Sequence, residues 1–132
     1  MNTKTLMTFS SLTLALAGVF TLFAPDVLLS ALGVAVTAQL SILVQLLGAL
    51  YFSFALMNWT AKDSAIGGIY ARPVSLANFS HFFSGTLLLV KYLLANEFNL
   101  SILLVLIMYV VFACSFYWLV FRATGLSVDK TG

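Results

Sequence analysis

Residues 100–121, LSILLVLIMYVVFACSFYWLVF, form an uncharged run of 22 residues. Fourteen of these residues are Leu, Ile, Val or Phe. Each of them favours membrane insertion by roughly 0.3–0.6 kcal/mol near the centre of a span. An α-helix of about 20 apolar residues crosses the hydrocarbon core of a bilayer. The run therefore predicts a transmembrane helix.

Three more apolar stretches of spanning length precede it, at 6–23, 40–59 and 74–94. Of the 132 residues, 62% are hydrophobic and only 8% are charged, whereas an ordinary soluble domain has roughly 25% charged residues. The sequence predicts an all-α polytopic membrane protein, a four-helix transmembrane bundle forming one domain over 1–132. The lipid bilayer is the first expected partner. A net charge of +2 without a basic run does not indicate nucleic-acid binding.

The link between the first two spans, PDVLLSALGVAVTAQ, is apolar but too short to cross the membrane. Pro25 suits the first turn of a helix, Asp26 suits the positive end of the helix dipole, and Gly33 is a typical terminator. We expect a short helix here that lies in the membrane interface. A simple extension of the second span is the alternative interpretation.

The distribution of basic residues predicts that both termini are cytoplasmic, because cytoplasmic loops are enriched in Lys and Arg. With the N-terminus inside, the outer side carries one basic residue, Lys91, and two acidic residues, Asp26 and Glu97. The basic residues on the inner side are Lys4, Lys62, Arg72, Arg122 and Lys130. Residues 1–17 admit another interpretation, a cleavable signal peptide, although the apolar run continues to Phe23.

Small and polar side chains indicate which face of a span packs against another helix. The stripe on the first span is Thr13, Ala17 and Thr21, beside Ser11 and Gly18. The stripe on the second span is Ser41, Gln45, Gly48, Phe52, Ala55 and Trp59. On the third span the polar stripe is Asn78, His81, Gly85 and Tyr92, with Ser80, Ser84 and Lys91 beside it. The opposite arc of the third span is expected to face lipid, and it consists of Phe79, Phe82, Phe83, Leu89, Val90 and Leu93.

Five polar residues are candidates for ligand binding or for polar contacts between helices: His81, Asn78, Asn58, Gln45 and Lys91. One interpretation of His81 is a neutral imidazole that hydrogen-bonds Asn78 and Asn58 and ties two helices together. The other is a histidine that faces a ligand in a polar pocket. Lys91 lies near the end of its span, where its ammonium can extend to the headgroups or contact Gln45.

The sequence contains no evident catalytic constellation, so we expect a protein that is not an enzyme. All four carboxylates, Asp26, Asp63, Glu97 and Asp129, lie outside the spans, which argues against a proton-coupled exporter. His81 and Cys114 lie on different spans and do not make a metal site. We expect no cofactor, because a haem would find only His81 as an axial ligand within one chain.

The segments FAPDVLLSALGV at 23–34 and LVQLLGALYFSFALMNW at 43–59 carry a resemblance. They resemble the Pro-x-x-Leu-Leu-x-x-Leu-Gly and Leu-Gly-Ala patterns of small four-helix bacterial membrane proteins of the DoxX-like family. Arg72 and the NFSHF segment are similar to the same group. The resemblance covers about the first half of the chain. It implies a bacterial inner-membrane location and an accessory, scaffold or chaperone role, without a catalytic motif.

Three functional hypotheses follow. The first is a non-enzymatic accessory or scaffold protein that associates with another membrane protein or with itself. The second is a binder or carrier of a hydrophobic small molecule, such as a lipid or a quinone, in a pocket between the second and third spans near His81. The third is a homo-oligomer that lines a pore with its third span, the only span polar enough for that.

Overall fold

The computed structural model describes residues 3–63 and 71–121, in which α-helices joined by short links are the only regular secondary structure. Four of these helices are long and apolar enough to cross a membrane, and a short helix lies between the first and second of them. The predicted fold class is therefore confirmed. The helices are α1 (Thr3–Phe23), α2 (Pro25–Ala31), α3 (Ala38–Ala61), α4 (Ala71–Ala95) and α5 (Leu100–Phe121).

The helices belong to two compact units, Met1–Asp63 and Ser64–Gly132. In the first unit α3 packs along α1, and α2 touches both of them. In the second unit α4 packs along α5. Asn99 ends the short link between α4 and α5, and its Oδ1 accepts hydrogen bonds from the N–H groups of Ser101 (2.9 Å) and Ile102 (3.2 Å). This cap satisfies backbone donors that a helix leaves open at its start. The organisation as a single domain stays a prediction.

The short helix α2 begins and ends at the residues that the sequence indicated. Pro25 lies in its first turn, as does Asp26. Gly33 has a positive φ of 70° and donates its N–H to Ser30 O at 3.0 Å, while Val34 donates to Leu29 O at 3.0 Å. This pair of bonds is the Schellman arrangement, which favours glycine at the left-handed position. The position of α2 in the membrane interface stays a prediction.

Polar residues at the start of α3 cap this helix and connect it to the short helix α2. Thr37 caps α3 by accepting a hydrogen bond from Leu40 N at 3.2 Å. The Ser41 hydroxyl donates to the Asp26 carboxylate at 2.5 Å. The link between the first two spans is thus a separate helix with its own anchor, and not an extension of the second span.

An ion pair between exposed side chains joins the start of α1 to the segment that directly follows α3. Lys4 Nζ lies 2.7 Å from Asp63 Oδ1. The hydrogen bond from Lys4 is the main cause that holds the pKa of Asp63 below its ordinary value of 3.8, and the charges of Lys4 and Lys62 add to it. Lys62 Nζ itself lies 3.0 Å from the centre of the Trp59 ring. Arg122 and Lys130, which belong to the same predicted charge bias, lie outside the described residues.

Replacing Lys4 with Gln is expected to raise the pKa of Asp63 toward 3.8, because the largest lowering influence is lost. In the unaltered protein the depressed pKa stabilises the folded chain above pH 3.8. That contribution disappears as the pH falls through the folded pKa. A carboxyl-carbon NMR titration measures the shift. Lys62→Gln is the control and should move the pKa less. An unchanged pKa in Lys4→Gln would show that the ion pair does not form in the membrane-bound protein.

Candidate functional site

The backbones of α1 and α3 meet where each helix has a glycine. A Cβ atom added at Gly18 would lie 2.8 Å from Phe52 N and 3.0 Å from Gly48 O. A Cβ added at Gly48 would lie 2.8 Å from Leu22 N and 3.0 Å from Gly18 O. Real Cβ atoms do not approach backbone atoms this closely. The crossing therefore requires glycine on both helices, as in the small-residue interfaces that join helices in lipid.

A polar cluster joins α1 to α3 nearer the start of α1. Asn58 Nδ2 donates to Ser10 Oγ at 3.0 Å, and Ser10 Oγ donates to Met7 O at 3.1 Å. Asn58 and Ser10 are completely buried. The neighbouring Ser11 donates to Ala55 O at 2.7 Å. These bonds join α1 and α3 through buried polar groups.

Gln45 makes a third polar link between the same helices, on the other side of the glycine crossing. Its Nε2 donates to Leu22 O at 3.0 Å. Leu22 lies at the end of α1, where a carbonyl oxygen has no partner within the helix. Ser11, Gly18, Gly48 and Gln45, all of which belong to the predicted stripes of the first two spans, therefore lie at their mutual contact.

The second unit contains the one histidine, paired with a tyrosine. His81 Nε2 on α4 and the Tyr109 hydroxyl on α5 lie 3.3 Å apart, within hydrogen-bonding distance. The Tyr109 ring lies directly against Gly85, one turn further along α4, where any side chain would collide with it. Tyr109 is buried and His81 is half-buried. The pair places two hydrogen-bonding groups inside an otherwise apolar helix hairpin.

Phe82 belongs to the arc of α4 that was predicted to face lipid, but it is buried. It is 0% exposed, and its ring packs against Tyr109 (5.2 Å between centroids), Phe112 (4.8 Å) and Phe116 (5.9 Å). The prediction that Phe82 faces lipid is wrong, because the ring forms the core between α4 and α5. Its neighbour Phe83 is 46% exposed and does fit the predicted arc.

The other candidate residues on α4 have different surroundings. Asn78 is completely buried, and its Nδ2 donates to Val74 O of the same helix at 2.9 Å. Lys91 is exposed near the end of α4, where the side chain can extend to the headgroups. Of the five candidates, Asn58 and Gln45 lie in the first unit, and Asn78, His81 and Lys91 lie in the second. Binding of a ligand by any of them stays a prediction, as does the grouping of Asn58 with His81.

Two residues of these clusters, Ser10 and Tyr109, were not identified from the sequence. Ser10 is adjacent to Ser11 but lies outside the predicted stripe, although a pair of serines in an apolar helix could have indicated a wider buried face. Tyr109 is the most central tyrosine of the fourth span, far from the interface where tyrosines settle. That depth was a usable signal for a hydrogen-bonding role inside the protein.

An apolar groove of about 530 Å³ lies on the second unit, beside the aromatic core. It is lined by Phe79 and Phe83 of α4 and by residues of α5, and it contains the exposed Cys114. The Phe79 and Phe83 rings stack at 5.4 Å between centroids, and Phe79 also contacts Tyr117 at 5.8 Å. The residues of α5 that line the groove are Ala113, Cys114, Tyr117 and Trp118.

The buried polar groups can be accounted for within residues 3–63 and 72–121. Every buried side-chain nitrogen or oxygen atom in this part of the chain has a hydrogen-bond partner. The same residues contain no group of three or more His, Cys, Asp or Glu side chains that could hold a metal ion. Comparison with known proteins finds no family model, no curated protein and no solved structure that matches the chain.

Proposed function

We propose that this integral membrane protein is a non-enzymatic accessory or scaffold protein that associates with another membrane protein or with itself. The observation that carries the proposal is how the buried polar groups are used. Asn58, Ser11 and Gln45 each bond across the α1–α3 contact, and no buried side-chain N or O among the described residues lacks a partner. Hydrogen bonds that bind helices to each other suit a rigid scaffold.

The exposed surface supports the same proposal. Large apolar side chains are exposed along all four long helices. Lipid can cover such a surface, and so can the apolar face of another transmembrane helix. The proposal includes a location in a bacterial inner membrane with both termini cytoplasmic, supported by the Lys and Arg bias. It also includes membership of the DoxX-like group, supported by the two sequence patterns at 23–34 and 43–59.

Native mass spectrometry of the protein in membrane discs extracted without detergent tests this role. We expect a complex of fixed stoichiometry, either a homo-oligomer or one membrane protein bound in an integer ratio. The Gly48→Leu variant should disrupt the packing of α1 on α3 and, with it, the complex. A stable monomer that carries one hydrophobic small molecule per chain would contradict the scaffold role.

The alternative function is a binder or carrier of a lipid or quinone near His81. It is favoured by the His81–Tyr109 pair, which puts hydrogen-bonding groups inside an apolar hairpin. Such groups fix the orientation of a mostly hydrophobic ligand. In the carrier, His81→Leu should abolish ligand binding and leave the fold intact. In the scaffold, the same substitution should alter stability or assembly and leave the ligand content unchanged.

The coupling between His81 and Tyr109 can be measured by a double-mutant cycle with His81→Leu and Tyr109→Phe. We expect an interaction energy of about 0.6 kcal/mol and at most about 1.7 kcal/mol, the range found for hydrogen bonds between membrane helices. Unfolding in mixed micelles gives the four stabilities. A coupling near zero would show that the 3.3 Å contact does not stabilise the hairpin.

A further inference from the structure

The apolar groove on the second unit has a defined position along its helices. Phe79 makes an edge-to-face contact with Phe121, the last residue of α5, at 5.7 Å between ring centroids. One end of the groove therefore lies beside the end of α5 and about 12 Å along α4 from its first residue. Phe83 and Cys114 are one to two turns further in and line the same groove. In a membrane-spanning hairpin the groove thus starts below the headgroups of the adjacent leaflet and runs deeper into the hydrocarbon.

A basic residue, Arg72, lies on the same face of α4 as the groove, closer to the start of the helix. Arg72 precedes Phe79 by seven residues and Phe83 by eleven, spacings that return to the same side of an α-helix. At about 1.5 Å per residue, the Arg72 backbone is about 10 Å from that of Phe79, toward the helix end. The Arg72 side chain is exposed. The face therefore has a guanidinium at headgroup depth and an aromatic groove below it.

We propose that the groove holds an acyl chain of an anionic phospholipid whose phosphate contacts Arg72. A ligand for this face needs a negative group at one end and a flexible apolar chain that continues about 10 Å deeper, past Phe79. A phospholipid of the adjacent leaflet has this form. The guanidinium group matches the phosphate oxygens in a bidentate geometry. Basic residues next to transmembrane helices bind acidic lipids in the same way.

The shape of the groove fits an acyl chain in the same position. It is lined by the rings of Phe79, Phe83, Tyr117 and Trp118 and by the small side chains of Ala113 and Cys114. A mostly apolar groove of about 530 Å³ accepts a flexible hydrocarbon chain without requiring any polar partner. A quinone or a sterol could fill the groove equally well, but neither carries the negative charge that Arg72 complements. The lipid site is independent of the scaffold role.

Quenching of Trp118 fluorescence by lipids with brominated acyl chains tests the site directly. The chain has two tryptophans, and Trp59→Phe leaves Trp118, in the wall of the groove, as the reporter. The protein is reconstituted in phosphatidylcholine vesicles that contain a minor fraction of brominated phosphatidylglycerol or of brominated phosphatidylcholine. We expect phosphatidylglycerol to occupy the groove with about fivefold preference, the effect of one well-placed basic residue on an acidic lipid.

Two variants in the Trp59→Phe background separate a specific site from general attraction. Arg72→Gln should abolish the preference, whereas Lys62→Gln removes one charge from the segment that leads to α4 and should retain it. Equal quenching by the two lipids, or a preference that survives Arg72→Gln, would overturn the proposal. Weak quenching by both lipids would also overturn it, because the groove would then be covered by protein. Circular dichroism confirms that each variant retains its helices.

Discussion

Replacing Gly48 with Leu is expected to separate α1 from α3 and to lower the free energy of unfolding of the first unit by about 3 kcal/mol. Even a Cβ atom at this position would lie 2.8 Å from Leu22 N and 3.0 Å from Gly18 O. Both are backbone atoms, which cannot rotate away as a flexible side chain can. The helices must therefore move apart, and the hydrogen bond from Gln45 to Leu22 O is expected to break with them.

Ala49→Leu is the matched control, because it adds a large side chain at the next position of α3, which is exposed. It is expected to change stability by less than about 0.5 kcal/mol. Steric trapping or unfolding in mixed micelles gives both values. Similar stabilities for the two leucine variants would mean that α1 and α3 do not touch through their glycines in the membrane.

Removing the ring of Phe82 is expected to destabilise the α4–α5 hairpin by about 2–3 kcal/mol. Phe82→Ala leaves a cavity between Tyr109, Phe112 and Phe116, whose rings lie within 5.9 Å of the Phe82 centroid. In water-soluble cores the same change costs about 3–5 kcal/mol. The expected loss is smaller here, because the ring enters hydrocarbon and not water when the helices separate.

Phe83→Ala provides the comparison at the adjacent position, where the ring is 46% exposed. It should reduce stability far less, because lipid can fill the space that the ring leaves. The difference between the two alanine variants, measured in the same micelles, reports the packing of α4 on α5. If Phe83→Ala proves the more damaging variant, the assignment of Phe82 to the core is wrong.

The helices themselves could be predicted because their signals are local. The uncharged run at 100–121 coincides with α5, and Pro25, Asp26 and Gly33 correctly marked the short helix α2. The start of α1 was predicted less accurately. Helix α1 begins at Thr3, three residues before the predicted span, and its first turn contains Lys4. Apolar composition locates the hydrocarbon core, whereas a helix can continue beyond it wherever an ion pair such as Lys4–Asp63 stabilises its end.

The contacts between helices could be predicted only in part. Gly48 and Gln45 stood out because small and polar residues are uncommon choices for a lipid-facing surface. Phe82 could not be assigned in the same way, since a phenylalanine suits both lipid and a protein core in a membrane. The partner of His81 depends on which helix lies beside α4, and that is not a property of any single segment. Tyr109 was therefore found only from the structure.

The polar contacts described for the first unit have a consequence for how the protein is made. Both partners of each bond between α1 and α3 lie within residues 3–63. A ribosome that adds about 5–20 residues per second needs roughly 3–12 seconds for the sixty residues that separate the ends of α3 and α5. A nascent chain can therefore bury Ser10 and Asn58 against each other while its last segment is still being translated. Biogenesis in pairs of helices shortens the time during which these side chains face the lipid beside the translocon.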